Sequence, residues 1–275
     1  MKTFAVDGQN MCYLDSGEGE VLVFGHSYLW DSAMWAPQVE VLSQHYRCIV
    51  PELWAHGQSD FAPQSMTTLK DYAQHILDLM DHLHIEQFSV IGLSVGGMWG
   101  AELTALAPTR VKSLVMMDTF VGLEPEVTHK KYFSMLDVIS ATQSVPEPIA
   151  EVVVPMFFAK EAATQSPQLI AAFKQYLIGL SGQQAVEVAR IGRMIFGRRD
   201  MIEEVEKFAL PVLIAVGAED IPRPVLESYL MKDCITGSQL EIIPRAGHIS
   251  SLEQPKYVTD ILHKFLANVY QQPLS

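Results

Sequence analysis

Gly92-Leu93-Ser94-Val95-Gly96 sets a hydroxyl between two glycines. It follows the apolar, β-prone run Phe88-Ser89-Val90-Ile91 and precedes a segment, Met98 to Ala107, that reads as helix. A serine pinned in a strand-to-helix turn of this kind is a nucleophile elbow. The cramped backbone pushes the hydroxyl into a cleft, and only small neighbours let strand and helix approach closely enough. Val95 then offers its backbone N–H at the start of a helix, where the dipole favours a developing oxyanion. A serine hydroxyl is a poor nucleophile at neutral pH and needs a general base, itself oriented by a carboxylate. Two later positions supply them. Asp220 ends the turn Gly217-Ala218-Glu219-Asp220 after the strand-like run Val212–Val216, and His248 lies in Arg245-Ala246-Gly247-His248 after a strand ending at Ile243. The chemistry these types could perform is attack on a carbonyl, collapse to an acyl-enzyme and hydrolysis by water activated through the histidine.

The elements that must hold these residues alternate along the chain. Val21–Phe24, Cys48–Val50, Phe88–Ile91, Leu114–Met117, Val212–Val216 and Leu240–Ile243 read as strands. Between them Met34–Gln44 and Thr67–Leu83 show helical spacing of apolar residues, a further helix is expected from Pro222, and a last one opens at Pro255. Strands separated by helices of ten or more residues predict an α/β fold with a mostly parallel central sheet flanked by helices. Asp220 and His248 then leave the carboxyl ends of parallel strands, the edge where open α/β sheets place their sites. From about Gly122 to Lys207 strand signals fade and prolines punctuate helical patterns, which predicts a helical insertion; the short run Val152-Val153-Val154 stops at Pro155.

Nucleophile, acid and histidine follow one another in the order found in α/β-hydrolases. On this constellation the chain resembles the α/β-hydrolase superfamily, serine carboxylesterases and enol-lactonases in particular, over nearly its full length. His26-Ser27-Tyr28 followed by Trp35 resembles the family's oxyanion loop. Leu53-Trp54-Ala55-His56-Gly57-Gln58-Ser59-Asp60 resembles its glycine–serine loop, and Gly247-His248 with Glu253 and Pro255 its histidine loop. The resemblance implies a core of residues 1–121 and 208–275, a cap of residues 122–207 over the cleft, and an oxyanion hole made by the backbone N–H groups of Tyr28 and Val95. Two positions depart from the family pattern: Ser27 stands where glycine is usual, and Glu52 where many relatives carry aspartate. Serine at the elbow excludes the branch with an aspartate nucleophile.

Composition narrows the classes further. A net charge of −13 argues against nucleic acid and anionic membranes as partners, since both need basic patches. No apolar run approaches the ~20 residues of a membrane span, and Met1–Asp7 lacks the apolar core of a secretory signal. Cys12, Cys48 and Cys234 are scattered, as expected of reduced thiols in a cytoplasm. No dinucleotide fingerprint, P-loop or metal-ligand spacing occurs, so no cofactor or metal is implied. Asp118, directly after Leu114–Met117, rivals Asp220 as the acid. His26 is expected to hold its own loop, and His45, His75, His129 and His263 to be structural. Trp30, Trp99, Met135, Phe157 and Phe158 are candidates for an apolar substrate pocket, against the plain reading that they pack the cap's own helices. Arg190, Arg193, Arg198 and Arg199 form a basic cluster that could bind a substrate carboxylate or simply face solvent. The expected substrate is a small or medium carboxylic ester, with an enol-lactone or carbon–carbon bond as alternatives. A non-catalytic ligand receptor is the alternative of a different class.

Overall fold

Apolar runs bounded by glycine and proline lie side by side in one twisted sheet. The computed structural model describes residues 1–271, so positions 272–275 of the second core segment lie outside the described residues. The strands are β1 (Lys2–Val6), β2 (Gln9–Ser16), β3 (Val21–Gly25), β4 (Arg47–Pro51), β5 (Phe88–Leu93), β6 (Val111–Met117), β7 (Val212–Gly217) and β8 (Gln239–Ile243). Their order is β1-β2-β4-β3-β5-β6-β7-β8. β1 and β2 pair antiparallel, as do β2 and β4, and every pairing from β4 to β8 is parallel. The hairpin of β1 and β2 is an addition to the strands expected from sequence. Its turn, Asp7-Gly8, has positive φ at both residues, 48° and 80°, which matches the right-handed twist of the flanking strands.

The helices of the two core segments are α1 (Ala36–Leu42), α2 (Leu69–His82) and α3 (Val95–Leu106), then, after the insertion, α10 (Val225–Cys234), α11 (Ser250–Glu253) and α12 (Pro255–Tyr270). Three differ from the expected bounds. Met34 and Trp35 belong to a 3-10 turn ahead of α1, α3 starts at Val95 rather than Met98, and α10 starts after Pro224 rather than at Pro222. α2 is capped by Thr68, whose hydroxyl accepts from Asp71 N–H while the Asp71 carboxylate accepts in return. Strands β3, β5 and β7 are buried on both faces, as parallel strands under two helical layers must be.

The insertion carries α4 (Glu126–Thr142), α5 (Glu147–Val153), α6 (Ala162–Gln165), α7 (Pro167–Gly179), α8 (Gly182–Phe196) and α9 (Ile202–Val205). The Val152–Val154 run is helical: α5 ends in it and continues as a 3-10 turn to Phe157. Because the chain lays β4 on one side of β3 and β5 on the other, a crevice opens beyond the carboxyl ends of β3 and β5. Among the described residues no helix is long and apolar enough to cross a membrane.

Candidate active site

β5 enters the elbow and α3 leaves it with Ser94 as the hinge. Ser94 has φ 58° and ψ −119°, a sparsely populated conformation for a side chain, held by its surroundings. Its N–H donates to Met117 O at 2.8 Å and the Thr119 hydroxyl donates to its carbonyl at 2.6 Å. Glycine is required by space here rather than by φ. A Cβ at Gly92 would lie 2.1 Å from the Gly96 carbonyl carbon, and one at Gly96 would lie 2.2 Å from the Gly25 oxygen. The three glycines let β3, β5 and α3 meet almost backbone to backbone.

His248 and Asp220 complete a relay. His248 Nε2 lies 3.0 Å from Ser94 Oγ, and its Nδ1 lies 2.9 Å and 3.1 Å from the two Asp220 oxygens. Nδ1–H therefore donates to the carboxylate and Nε2 is left to accept the serine proton. Burial drives the imidazole down to about 4 and the Asp220 carboxyl upward, so His248 carries no charge at neutral pH. The pair keeps a single proton in its shared hydrogen bond. Asp220 also accepts from the N–H of Arg223 at 2.9 Å. Asp118, the rival acid, is occupied elsewhere: it accepts from Gly217 N–H at 2.7 Å and from the Ser250 hydroxyl. Burial, then the neighbouring Asp220, raises its carboxyl well above the usual range.

β3 and β5 pair with Gly25 opposite Gly92, so Tyr28 and Val95, each three residues on, leave the sheet side by side. Among the described residues neither N–H donates to another group of the chain. Two histidines shape this loop. Leu53 N–H donates to His26 Nε2 at 2.8 Å, so Nδ1–H donates to Ser27 O at 2.8 Å. Leu29 N–H likewise donates to His56 Nε2 at 3.1 Å, and His56 Nδ1–H to Trp54 O at 2.9 Å. Burial, then the adjacent His26, pushes His56 down to about 3, which keeps its acceptor nitrogen available. Ser27, where glycine is usual, is buried, its N–H resting against the Met34 sulfur at 3.2 Å. Glu52 ties the glycine–serine loop by accepting from Gln58 N–H and the Ser32 hydroxyl.

A cavity of about 90 Å³, measured to the centre of a water-sized sphere, lies against Ser94 and His248. Met135 and Phe157 line it with aliphatic residues of α4, α5, α7 and α8. The Phe157 ring stands edge-on to the His248 ring at 5.1 Å. The other pocket candidates go elsewhere, and they are corrections. Trp99 is 1% exposed behind the elbow, packed on Gly25 and Tyr72. Trp30 stacks on Phe173 at 4.8 Å and lines a separate groove, and Phe158 packs edge-on against that pair.

Residues 20–255 match the family model described as the alpha/beta hydrolase fold. The chain belongs to that family. It is 24% identical to 3-oxoadipate enol-lactonase 1 of Acinetobacter baylyi, over 90% of this chain and 89% of that one. A thermophilic esterase from Thermogutta terrifontis superposes with TM-score 0.86 at 26% identity, covering 97% of each chain. The enol-lactonase from Burkholderia xenovorans LB400 does so with TM-score 0.85 at 25% identity, covering 97% of this chain and all, 100%, of that one.

Within this α/β-hydrolase, three residues support the site through contacts that no local signal announced. The Phe157 carbonyl accepts from the N–H groups of His248 and Ile249 at 3.0 Å and 3.3 Å. Glu253 accepts from Ala159 N–H and from Gly247 N–H, both at 2.7 Å, so it staples the insertion to the histidine loop. Arg223 is the third, through its N–H on Asp220. The arginine cluster disperses into separate ion pairs: Arg190 with Glu187, Arg193 with Asp137, Arg198 with Glu124 and Arg199 with Glu102. None of those four arginines lines the cavity beside Ser94.

Proposed function

We propose that this hydrolase cleaves a small or medium carboxylic ester through an acyl-enzyme on Ser94. The observation that carries the reading is the 3.0 Å contact between Ser94 Oγ and the free nitrogen of an uncharged, carboxylate-oriented His248. In the first half-reaction Oγ attacks the carbonyl carbon as Nε2 takes its proton. The N–H groups of Tyr28 and Val95 stabilise the oxyanion, and the imidazolium protonates the departing alkoxide. Water then repeats the sequence on the acyl-enzyme. An enol-lactone is cleaved by the same steps with the leaving oxygen tethered, and the likeness to proteins named enol-lactonase supports that second reading. The intact trio of Ser94, Asp220 and His248 speaks against a non-catalytic receptor. A small neutral substrate, rather than nucleic acid, fits the acidic charge, and a cytoplasmic location fits the three free cysteines.

The test is a fluorophosphonate together with p-nitrophenyl esters of graded acyl length. Stoichiometric labelling at Ser94 alone, with turnover of the esters, is expected. Absence of both overturns the reading.

We assign the cap to residues 122–207, held against the core by the Tyr28 hydroxyl on Val188 O and by Gln184 on Ala55 O. Met135→Ala and Phe157→Ala should shift the preferred acyl length, because pocket contacts differ between substrates whereas the nucleophile is common to all. Phe158→Ala should instead cost about 3 kcal/mol of stability with the acyl profile unchanged, as a packed ring is lost. Thermal unfolding and the ester panel measure both. Parental profiles in the first two variants would make these side chains packing only.

A further inference from the structure

The cavity beside Ser94 has one permanently cationic side chain in its wall, Arg223. A guanidinium at a substrate cavity ordinarily anchors a carboxylate. Here the guanidinium is already engaged. Its Nη2 donates to Glu124 Oε1, and its Nη1 lies 3.5 Å from Glu227 Oε2. Glu124 takes a second guanidinium on the same oxygen, Nη1 of Arg198 at 2.7 Å. The Glu124, Arg223 and Arg198 side chains are 1%, 3% and 4% exposed, so no solvent stands in for a partner. Burial pushes the Glu124 carboxyl up, but the two guanidiniums outweigh it and hold the group ionised. Two guanidiniums thus face two carboxyl groups, of which burial raises that of Glu227.

The rest of the wall offers an anion no cation: besides apolar side chains it holds only the hydroxyls of Tyr28, Tyr132 and Ser94 and the uncharged imidazole of His248. The Tyr28 hydroxyl donates to Val188 O at 2.8 Å, so of the neutral polar groups in the wall Tyr132 adds a single hydroxyl and no charge, and neither Asp220 nor Asp118 lines the cavity. Ile139, Leu177 and Val188 are representative of the remaining surface. A carboxylate drawn into this space loses its water and gains no cation.

On the hydrolase reading above, we propose that the site accepts an uncharged acyl group, and that Glu124 sets this specificity. By occupying Arg223 it denies carboxylate-bearing acyl groups the one guanidinium in the wall.

Three p-nitrophenyl esters isolate charge from size: the hexanoate, the half-ester of adipic acid, and the same adipate with its far end methylated. The native enzyme should turn over the two neutral esters with kcat/KM about 100-fold above the anionic half-ester. Glu124→Gln should narrow that ratio by about tenfold, because it frees Arg223 to pair with the entering carboxylate. If two guanidiniums left without their shared partner prevent folding, Glu227→Gln frees Nη1 from a less buried position and should narrow the ratio in the same direction. Half-ester turnover within about threefold of the methylated diester in the native enzyme overturns the proposal. So does an unchanged ratio in a folded Glu124→Gln or Glu227→Gln variant. Failure of all three esters with no fluorophosphonate labelling overturns the hydrolase reading itself, and the proposal with it.

Discussion

Ser94→Ala is expected to lower kcat for ester hydrolysis by about four to six powers of ten while leaving the fold intact. Both halves of that expectation come from geometry. Oγ is the atom that faces His248 Nε2 at 3.0 Å, and no neighbouring hydroxyl is placed to replace it there. The backbone strain at φ 58° is borne by any residue with a Cβ, so alanine neither relieves nor adds to it. The N–H and carbonyl of residue 94 keep their bonds to Met117 O and the Thr119 hydroxyl. The stability change should therefore stay within about 1 kcal/mol, the loss of one side-chain hydrogen bond. Turnover of a p-nitrophenyl ester and thermal unfolding measure the two. Activity within tenfold of the parent would end the acyl-enzyme mechanism.

The three side chains that the structure brings together were legible in the sequence because each sits where a strand stops. β5, β7 and β8 are apolar runs with abrupt ends, and Ser94, Asp220 and His248 follow those ends within a few residues. Glycines at positions 92 and 96 announced a close approach that the packing explains. The hairpin of β1 and β2 had a signal too, in Asp7-Gly8 flanked by Phe4 and Val6, but the polar residues Lys2, Thr3, Asn10 and Asp15 dilute the alternation. Nearness in sequence to the oxyanion loop and the elbow points to Trp30 and Trp99 as pocket residues, yet neither lines the cavity, whereas Met135 and Phe157 of the insertion do. Trp99 lies five positions beyond Ser94 on α3, and at about 100° per residue it points well away from the serine's side. It fills the space over Gly25 instead.

The charge cluster around Glu124 was illegible for a different reason. Its members come from the start of the insertion, the end of α8 and the loop after β7, and only the closed fold brings them together. Arg190 to Arg199 showed the opposite failure. Adjacency suggested one basic patch, but helical geometry and separate acidic partners divide it. The same logic explains the staple at Glu253. Glu253 is marked in sequence only as part of the histidine loop, yet it joins that loop to Ala159 of the insertion. A Cβ at Gly247 would lie 2.6 Å from Ala159 N, so that glycine is needed for residues 158–159 of the insertion to sit against the histidine loop. Residues 157–159 thus both line the cavity, through Phe157, and hold the histidine loop, through the Phe157 carbonyl and Ala159 N–H.

Asp220→Asn should cost about four powers of ten in kcat, and Asp118→Asn less than one. The two carboxylates are close neighbours, both buried, so the difference must come from what each one touches. Asp220 accepts Nδ1–H of His248, and an asparagine amide there can instead donate to Nδ1. That fixes the other tautomer, with the proton on Nε2, and the nitrogen facing Ser94 can no longer accept. Asp118 touches neither His248 nor Ser94. Its oxygens accept from Gly217 N–H and the Ser250 hydroxyl. An asparagine keeps the first bond through its carbonyl oxygen, and the serine hydroxyl can rotate to accept the second from the amide. Burial already raises the Asp118 carboxyl well above its ordinary range, so a neutral isostere costs this position less than it would cost an exposed carboxylate. Stability in Asp118→Asn should accordingly change by less than about 1 kcal/mol. Both variants should still react with a fluorophosphonate, Asp220→Asn far more slowly, since labelling also needs the base. If instead Asp118→Asn is the crippled variant and Asp220→Asn retains activity, the orienting carboxylate belongs at the end of β6, and the 2.9 Å contact at Nδ1 has no catalytic role.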